Sequence, residues 1–347
     1  MRDKLRALLA GERRGMGPSL QRGGLRLASV PYGWATALRN RLFDRGWKGT
    51  ERAAVPVVSV GNLTVGGTGK TPCVEYVARR LRQWDRRVAI LSRGYGSDQG
   101  PNDEALVLEE NLPDVPHLQG ADRVALATVA VEELESEVLV LDDGFQHRRL
   151  ARDLDLVLLD ATEPWGFGYV LPRGLLRESP RGLRRAGAVL LTRCDQADAA
   201  ALARLRERVA RLAPQAPLIE TSHRPTAWID AEHRTRPLDH WRGKAVLAFC
   251  GIGNPEAFRR TLLDLGMTVR AFRAFPDHHP YSRNDVEDLR TWARHPATEG
   301  VVVTTQKDLV KLRLTRLGEC ELAALRIELH LHSGADALDR KLKEALG

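Results

Sequence analysis

The chain has 347 residues, 43% of them hydrophobic and 28% charged, which is room for more than one domain with a large core and excludes a disordered or fibrous chain. Its net charge of +8 resides entirely in residues 1–50, where eleven Lys and Arg stand against three acids. A neutral body with one basic end argues against nucleic acid and for an anionic surface met by that end. No run approaches the ~18 apolar residues needed to span a bilayer. The N-terminus has no apolar h-region of a signal peptide. Cys73, Cys194, Cys250 and Cys320 have no metal-ligand spacing and read as reduced, buried thiols of a cytoplasmic protein.

Residues 1–50 are basic, interrupted by glycine, and carry Tyr32, Trp34, Phe43 and Trp47. Pro31 is placed to open a helix in which Trp34, Leu38 and Leu42 form one stripe. Arg41 and Arg45 flank it, as they do where arginines reach past an apolar face to lipid headgroups; an ordinary packed helix with solvated arginines fits the pattern equally. From residue 55, short apolar runs alternate with helical periodicity, the pattern of βαβ units around a mostly parallel sheet. The strands fall at Val55–Val60, Arg87–Leu91, Glu137–Leu141, Leu154–Leu159 and Ala188–Leu191, with helices at Val74–Trp84 and Ala121–Leu134. Residues 213–243 break the rhythm, with a strand pair near Ala227–Ile229 and Arg236–Leu238. A second series follows: Ala245–Cys250, a helix at Pro255–Leu265, Thr268–Phe272, a helix at Arg283–Ala293, and Gly300–Thr304. The organisation expected is a basic segment at 1–50, a nucleotide-binding α/β domain at 51–225, a linker at 226–242 and a smaller α/β domain at 243–347.

Between the first strand and its helix lies Thr64-Val65-Gly66-Gly67-Thr68-Gly69-Lys70-Thr71. Strand, glycine loop, Lys-Thr and helix is the context of a P-loop, whose backbone N–H groups and helix N-terminus converge on phosphate oxygens. Lys70 is then the group for the β- and γ-phosphates of a nucleoside triphosphate, and the Thr71 hydroxyl a ligand for Mg²⁺. Thr64 stands where the general pattern has its first glycine. The metal also needs a carboxylate at a neighbouring strand end, which the run Val138 to Asp142 and Asp143 supplies; Asp-Asp-Gly is equally a good turn sequence. Gln146 and His147 follow beside that edge. Arg93 follows the second strand and Arg177 the fourth, at the sheet edge where open α/β folds place ligands.

These residues resemble one family, the tetraacyldisaccharide 4′-kinases of lipid A biosynthesis. The resemblance rests on VGNLTVGGTGKTP at 60–72, SRGYG at 92–96, DDGFQHRRLARD at 142–153, LPRGLLRE at 171–178, GIGNP at 251–255, DHH at 277–279 and TQKD at 305–308. It implies a P-loop NTPase-type fold with a second α/β domain, and transfer of the ATP γ-phosphoryl group to the 4′-hydroxyl of an acylated glucosamine disaccharide 1-phosphate. The site of action is then the cytoplasmic face of the bacterial inner membrane, with the lipid and the membrane surface as partners, no nucleic acid and no obligate protein partner. It further implies Asp142 at the metal, Asp103 as base and Glu104 at the metal, on the match Asn102-Asp103-Glu104-Ala105. A weaker match, Gly120-Ala121-Asp122-Arg123, reads as a helix start. Gln146 is a further expected metal ligand; Arg177, Arg93, His147 and Asp143 are expected around the substrate phosphates. His278 or its neighbour His279 is implied to assist Asp103, with closure of the second domain assembling the site.

Three other functions compete. A GTPase-type switch would use Thr192-Arg193-Cys194-Asp195 or Thr305-Gln306-Lys307-Asp308 to read a base, but the first has Arg for Lys and both suit a strand-end turn. A membrane-attached nucleotide-binding module needs fewer acids, His and Arg at strand ends than this chain has. A polynucleotide kinase conflicts with the neutral body.

Overall fold

The computed structural model describes residues 2–94, 103–294 and 299–347; Tyr95, Gly96 and Asn102 of the motifs above lie outside them. The elements begin with α1 (Arg2–Ala10), α2 (Met16–Asp44), β1 (Val57–Asn62), α3 (Lys70–Arg82), β2 (Val88–Ser92), α4 (Asp103–Asn111), β3 (His117–Gln119), α5 (Arg123–Glu132), β4 (Val138–Asp142), β5 (Leu154–Asp160) and β6 (Ala188–Thr192). They continue with α6 (Ala199–Leu212), β7 (Leu218–Ile229), β8 (Thr235–Arg236), β9 (Ala245–Cys250), α7 (Pro255–Asp264), β10 (Thr268–Ala274) and α8 (Arg283–Ala293). The last are β11 (Val301–Thr305), α9 (Gln306–Leu312), β12 (Arg316–Leu317), β13 (Cys320–Ser333) and α10 (Ala335–Leu346). The chain divides into two compact units: Met1–Arg93, Val115–His223 and Leu329–Gly347 form the first, and Gly94–Asp114 with Arg224–Glu328 form the second. Thus α4, in the stretch that the sequence assigns to the nucleotide-binding domain, belongs to the second unit. Helix α10, at the chain's end, returns to the first, where Leu338 and Leu342 are buried.

In the first unit the strands run β7-β6-β5-β1-β4-β2-β3, and every pairing is parallel. Parallel strands covered on both faces need continuous rather than alternating apolar sequence. Strands β1, β2, β4 and β6 are buried at every position. Register fixes the site: Val60 lies opposite Asp142, so the carboxyl ends of β1 and β4 emerge together. In the second unit β10-β9-β11-β13 is again parallel, with β12 antiparallel to β13. There β8 pairs with the end of β7, Trp228 opposite Arg236. All four cysteines are buried.

Helix α2 differs from the sequence expectation. It starts at Met16 and runs through Pro31, which therefore does not open it. Pro31 forfeits one backbone donor, and the helix is instead held from the side by the first unit. Ser29 Oγ donates to Val170 O (3.0 Å), Tyr32 Oη to Arg177 O (3.0 Å) and Asn40 Nδ2 to Glu178 Oε2 (2.7 Å). Arg39 donates to Gln146 O, and Arg148 pairs with Asp44. The side turned to the protein is therefore polar. Met16, Leu20, Leu27, Val30, Trp34 and Leu38 are all exposed, Trp34 by 76%. At ~100° per residue they share one sector of the helix about 80° wide. The extended stripe replaces the shorter Trp34, Leu38, Leu42 stripe, since Leu42 is half-buried.

The second unit's core is centred on Trp228, which is fully buried, meets Trp241 edge-on at 5.2 Å and donates its indole N–H to Leu238 O. Trp228→Ala removes a large side chain from close packing and is expected to cost about 3–5 kcal/mol, read as a lower urea midpoint for this unit.

Candidate active site

Asn62, buried at the end of β1, opens the phosphate loop: its side-chain amide donates to Thr64 O at 2.8 Å, and Lys70 Nζ approaches its Oδ1 at 3.4 Å. Thr64 and Val65 tie the loop to the 171–177 segment. Thr64 bridges Leu176, and the Val65 N–H donates to Leu175 O at 2.8 Å, so that amide serves the fold. The space beyond Gly66 and Gly67 is open. Their carbonyl side is anchored: Thr192 Oγ donates to Thr68 O at 2.9 Å and Arg193 to Gly67 O at 2.8 Å. Thr192-Arg193 thus holds the phosphate loop's backbone, and Arg193 also pairs with Asp160. Gly69 is left-handed (φ 85°), and α3 starts immediately after it, with no acid in its first turn to cancel the partial positive charge at its N-terminus.

Asp143, in the left-handed region (φ 55°), is held by Lys70 at 3.4 Å and Arg177 at 2.7 Å. Burial raises its pKa, but Lys70 and Arg177 outweigh burial and hold the carboxyl below the usual range. Asp142 is buried at the end of β4, as is Thr71 in the first turn of α3. Hydroxyl and carboxylate oxygens of this kind suit magnesium, which keeps few protein ligands and shares the rest with phosphates. Two features agree with a triphosphate at the loop: Gly66 and Gly67 face open space, and the buried Thr68 hydroxyl has no hydrogen-bond partner among the described residues.

Gln146, expected at the metal, is held by protein partners. Its amide donates to Asn62 O (2.9 Å) and Glu178 Oε1 (3.1 Å), and its Oε1 accepts from Arg177 (3.3 Å). Both ends of its amide are thus engaged, linking Arg177 to the end of β1. Glu178, which sequence reasoning does not single out, is buried, and its carboxylate takes two hydrogen bonds from Arg185, each 2.9 Å. His147 lies 3.4 Å from Arg123 Nη1, and its pKa is lowered to about 4 by burial and then by Arg123, Arg152 and Arg39. It is a neutral imidazole among arginines. Arg93 is exposed just past β2.

The second unit carries the acid–imidazole pair. Asp103 opens α4, and both its oxygens lie on His278 Nδ1, at 2.8 and 2.9 Å. The Asp103 side chain is 3% exposed and that of His278 50%. The Asp103 hydrogen bond raises the pKa of His278 against burial; burial raises Asp103, but His278 and Lys307 bring it below the usual range. His279 is engaged elsewhere, stacked on Phe275 at 4.8 Å and 3.1 Å from Asp285. The histidine joined to Asp103 is therefore His278. Glu104, expected at the metal, pairs with Lys307 at 2.6 Å. Asp122 caps α5, accepting from the N–H groups of Val124 and Ala125. Sequence reasoning misses Lys307 and Lys311 as partners of this acidic stretch; their i, i+4 spacing on one short helix is the available signal.

The His147 imidazole is expected to titrate near pH 4, followed by NMR of the ring nitrogens. Its folded pKa lies below the unfolded value, so its contribution to stability is complete above pH 6.5 and is lost as pH falls towards 4. A midpoint for His147 at its ordinary value contradicts the placement.

A family model described as tetraacyldisaccharide-1-P 4′-kinase matches residues 22–347. The chain is 43% identical over 354 residues to a tetraacyldisaccharide 4′-kinase of Anaeromyxobacter sp. (strain Fw109-5), covering 97% of this chain and 95% of that protein. It is 40% identical to one of Syntrophus aciditrophicus (strain SB), over 83% of each. Among solved structures it is similar to LpxK from Aquifex aeolicus in complex with ATP, with a TM-score of 0.76 and 32% identity, covering 94% of this chain and all of that one.

Proposed function

The chain belongs to the tetraacyldisaccharide-1-phosphate 4′-kinase family, and we propose that it transfers the γ-phosphoryl group of ATP to the 4′-hydroxyl of a tetraacylated glucosamine disaccharide 1-phosphate at the cytoplasmic face of the inner membrane. The observation that carries the chemistry is the uncancelled N-terminus of α3 behind an open Gly66-Gly67 loop, with Lys70 in its first turn. Phosphoryl transfer asks the protein for positioning and for positive charge around the moving phosphoryl oxygens, more than for covalent chemistry. Lys70 serves the β- and γ-phosphates. Arg177, oriented by Asp143 and Gln146, serves the transferred phosphoryl group or the lipid phosphate. Thr71 and Asp142 would hold Mg²⁺, which neutralises phosphate charge when bound.

The acceptor hydroxyl must lose a proton, and we assign its removal to the Asp103–His278 pair. The buried carboxylate orients the ring, the half-exposed ring reaches outward, and the hydrogen bond between them lets the pair share one proton. The neutral His147, among Arg123, Arg152 and Arg39, supplies a donor to a phosphate oxygen without adding charge.

The polar side of α2 faces protein and its apolar side faces out. That inverts the usual amphipathic surface helix. With a basic N-terminal segment around it, the arrangement suits an anionic lipid interface, the apolar stripe dipping below the headgroups. No described helix is long and apolar enough to cross a membrane.

Two measurements test this reading. Incubation with γ-labelled ATP and the acylated disaccharide is expected to put label on the lipid, Lys70→Ala and Asp103→Asn each lowering kcat by about 10²–10⁴-fold. Unlabelled lipid with nucleotide binding intact rejects the kinase reading. In flotation with vesicles containing anionic phospholipid, Trp34→Glu with Leu38→Glu is expected to release the protein into the soluble fraction while the fold is retained; unchanged flotation rejects the membrane role of α2.

A further inference from the structure

Asp308 is wholly buried in the second unit. A carboxylate there is tolerated only if its oxygens are well paired. Its Oδ2 accepts the Thr305 hydroxyl at 2.6 Å and the Gly251 N–H at 3.0 Å, and its Oδ1 accepts the Tyr281 hydroxyl at 3.0 Å. The ammonium of Lys311 lies 3.3 Å from that same Oδ1 and 3.5 Å from Asp103 Oδ2. One cation therefore stands between two buried carboxylates, its own side chain only 13% exposed and its Nζ 5.1 Å from the centre of the Tyr281 ring.

A second path leads from Asp308 to the histidine. His278 is left-handed, with φ +60°, a conformation that costs a non-glycine residue of order 1 kcal/mol and must be imposed by its surroundings. Its N–H donates to Gly251 O at 3.0 Å. The Gly251 residue is thus gripped at its N–H by Asp308 and at its carbonyl by His278. A Cβ on Gly251 would crowd this grip, lying 3.0 Å from Asp308 Oδ1 and 3.2 Å from Tyr281 Oη, so both would have to give way.

We propose that Asp308 and Lys311 are positioning residues for the reaction: Lys311 fixes the Asp103 carboxylate, and Asp308 fixes both Lys311 and the Gly251 backbone that holds His278. This rests on the reading of Asp103 and His278 as the proton-accepting pair. One buried acid then sets the place of both members, and TQKD and GIGNP become parts of a single brace. Neither residue is placed on substrate.

Steady-state kinetics of the full chain with ATP and the acylated disaccharide tests this. Lys311→Met is expected to lower kcat on the order of 10- to 100-fold while the KM for ATP stays within about twofold, because misplacing the acceptor-side pair leaves the donor site alone. Lys311→Arg, which keeps the cation, recovers most of the loss. In a His278→Ala background, Lys311→Met costs less than about threefold, since positioning a pair that is already broken has no further effect. If Lys311→Met does not fold, Tyr281→Phe removes one hydrogen bond from Asp308 and keeps the ring; its several-fold drop in kcat must likewise vanish in His278→Ala. Wild-type kcat in both Lys311→Met and Tyr281→Phe, or losses that persist undiminished beside His278→Ala, overturns the proposal. Full activity in both Asp103→Asn and His278→Ala instead overturns the reading of the pair itself, and the brace with it.

Discussion

Parallel pairing of β1 with β4, in the register that sets Val60 against Asp142, is the constraint on which the first unit's site depends. Parallel strands share a direction, so their carboxyl ends share an edge, and whatever follows each strand is delivered to the same place. After β1 that is the glycine loop and the start of α3; after β4 it is Asp142 to His147; after β6 it is Thr192 and Arg193, which hold the loop's carbonyls. A one-residue slip would turn Asp142 to the sheet's other face.

Charge is organised in the same way in each unit. Half-buried Asp143, between Lys70 and Arg177, and buried Asp103, between His278 and the lysines of α9, are acids each met by more than one cation. Such groups are costly to desolvate and strongly attracted once desolvated, so their geometry is narrow. Long flexible side chains thereby become fixed ones before any substrate arrives, and the ordering entropy is met in folding rather than in each turnover.

Much of this is legible in the sequence because it is local. Apolar runs and helical periodicity locate Ala245–Cys250 and Arg283–Ala293 to the residue and most of the other expected strands to within a few residues, but β7 begins well before the expected Ala227–Ile229 and β3, β12 and β13 are not anticipated; strand–loop–helix context alone locates the phosphate loop with its lysine. What escapes depends on partners far along the chain. Pro31 reads as a helix start and the glycines before it as interruptions, yet α2 runs through both, and hydrogen bonds from Ser29, Tyr32 and Asn40 to residues about 140 positions away hold it. Arg177 and Lys307, the protein partners of Gln146 and Glu104, are likewise remote in sequence. Nothing local separates His278 from His279; the Asp103 carboxylate, 175 residues away, does.

The glycines around the phosphate loop fall into two kinds. Gly66 and Gly67 look onto open space, whereas a Cβ on Gly61 would lie 2.6 Å from Phe145 Cβ and one on Gly144 would lie 2.6 Å from Ser59 Oγ. A growth-based mutational screen would score alanine at all four as loss of function and so draw one motif around them. The physical origins differ: at Gly61 and Gly144 the protein would be lost from the cell through poor folding, at Gly66 a side chain strains a positive-φ backbone (φ 119°), and at Gly67 the protein would accumulate normally. Abundance measured beside growth therefore separates the scaffold from the nucleotide cradle within a single stretch of sequence.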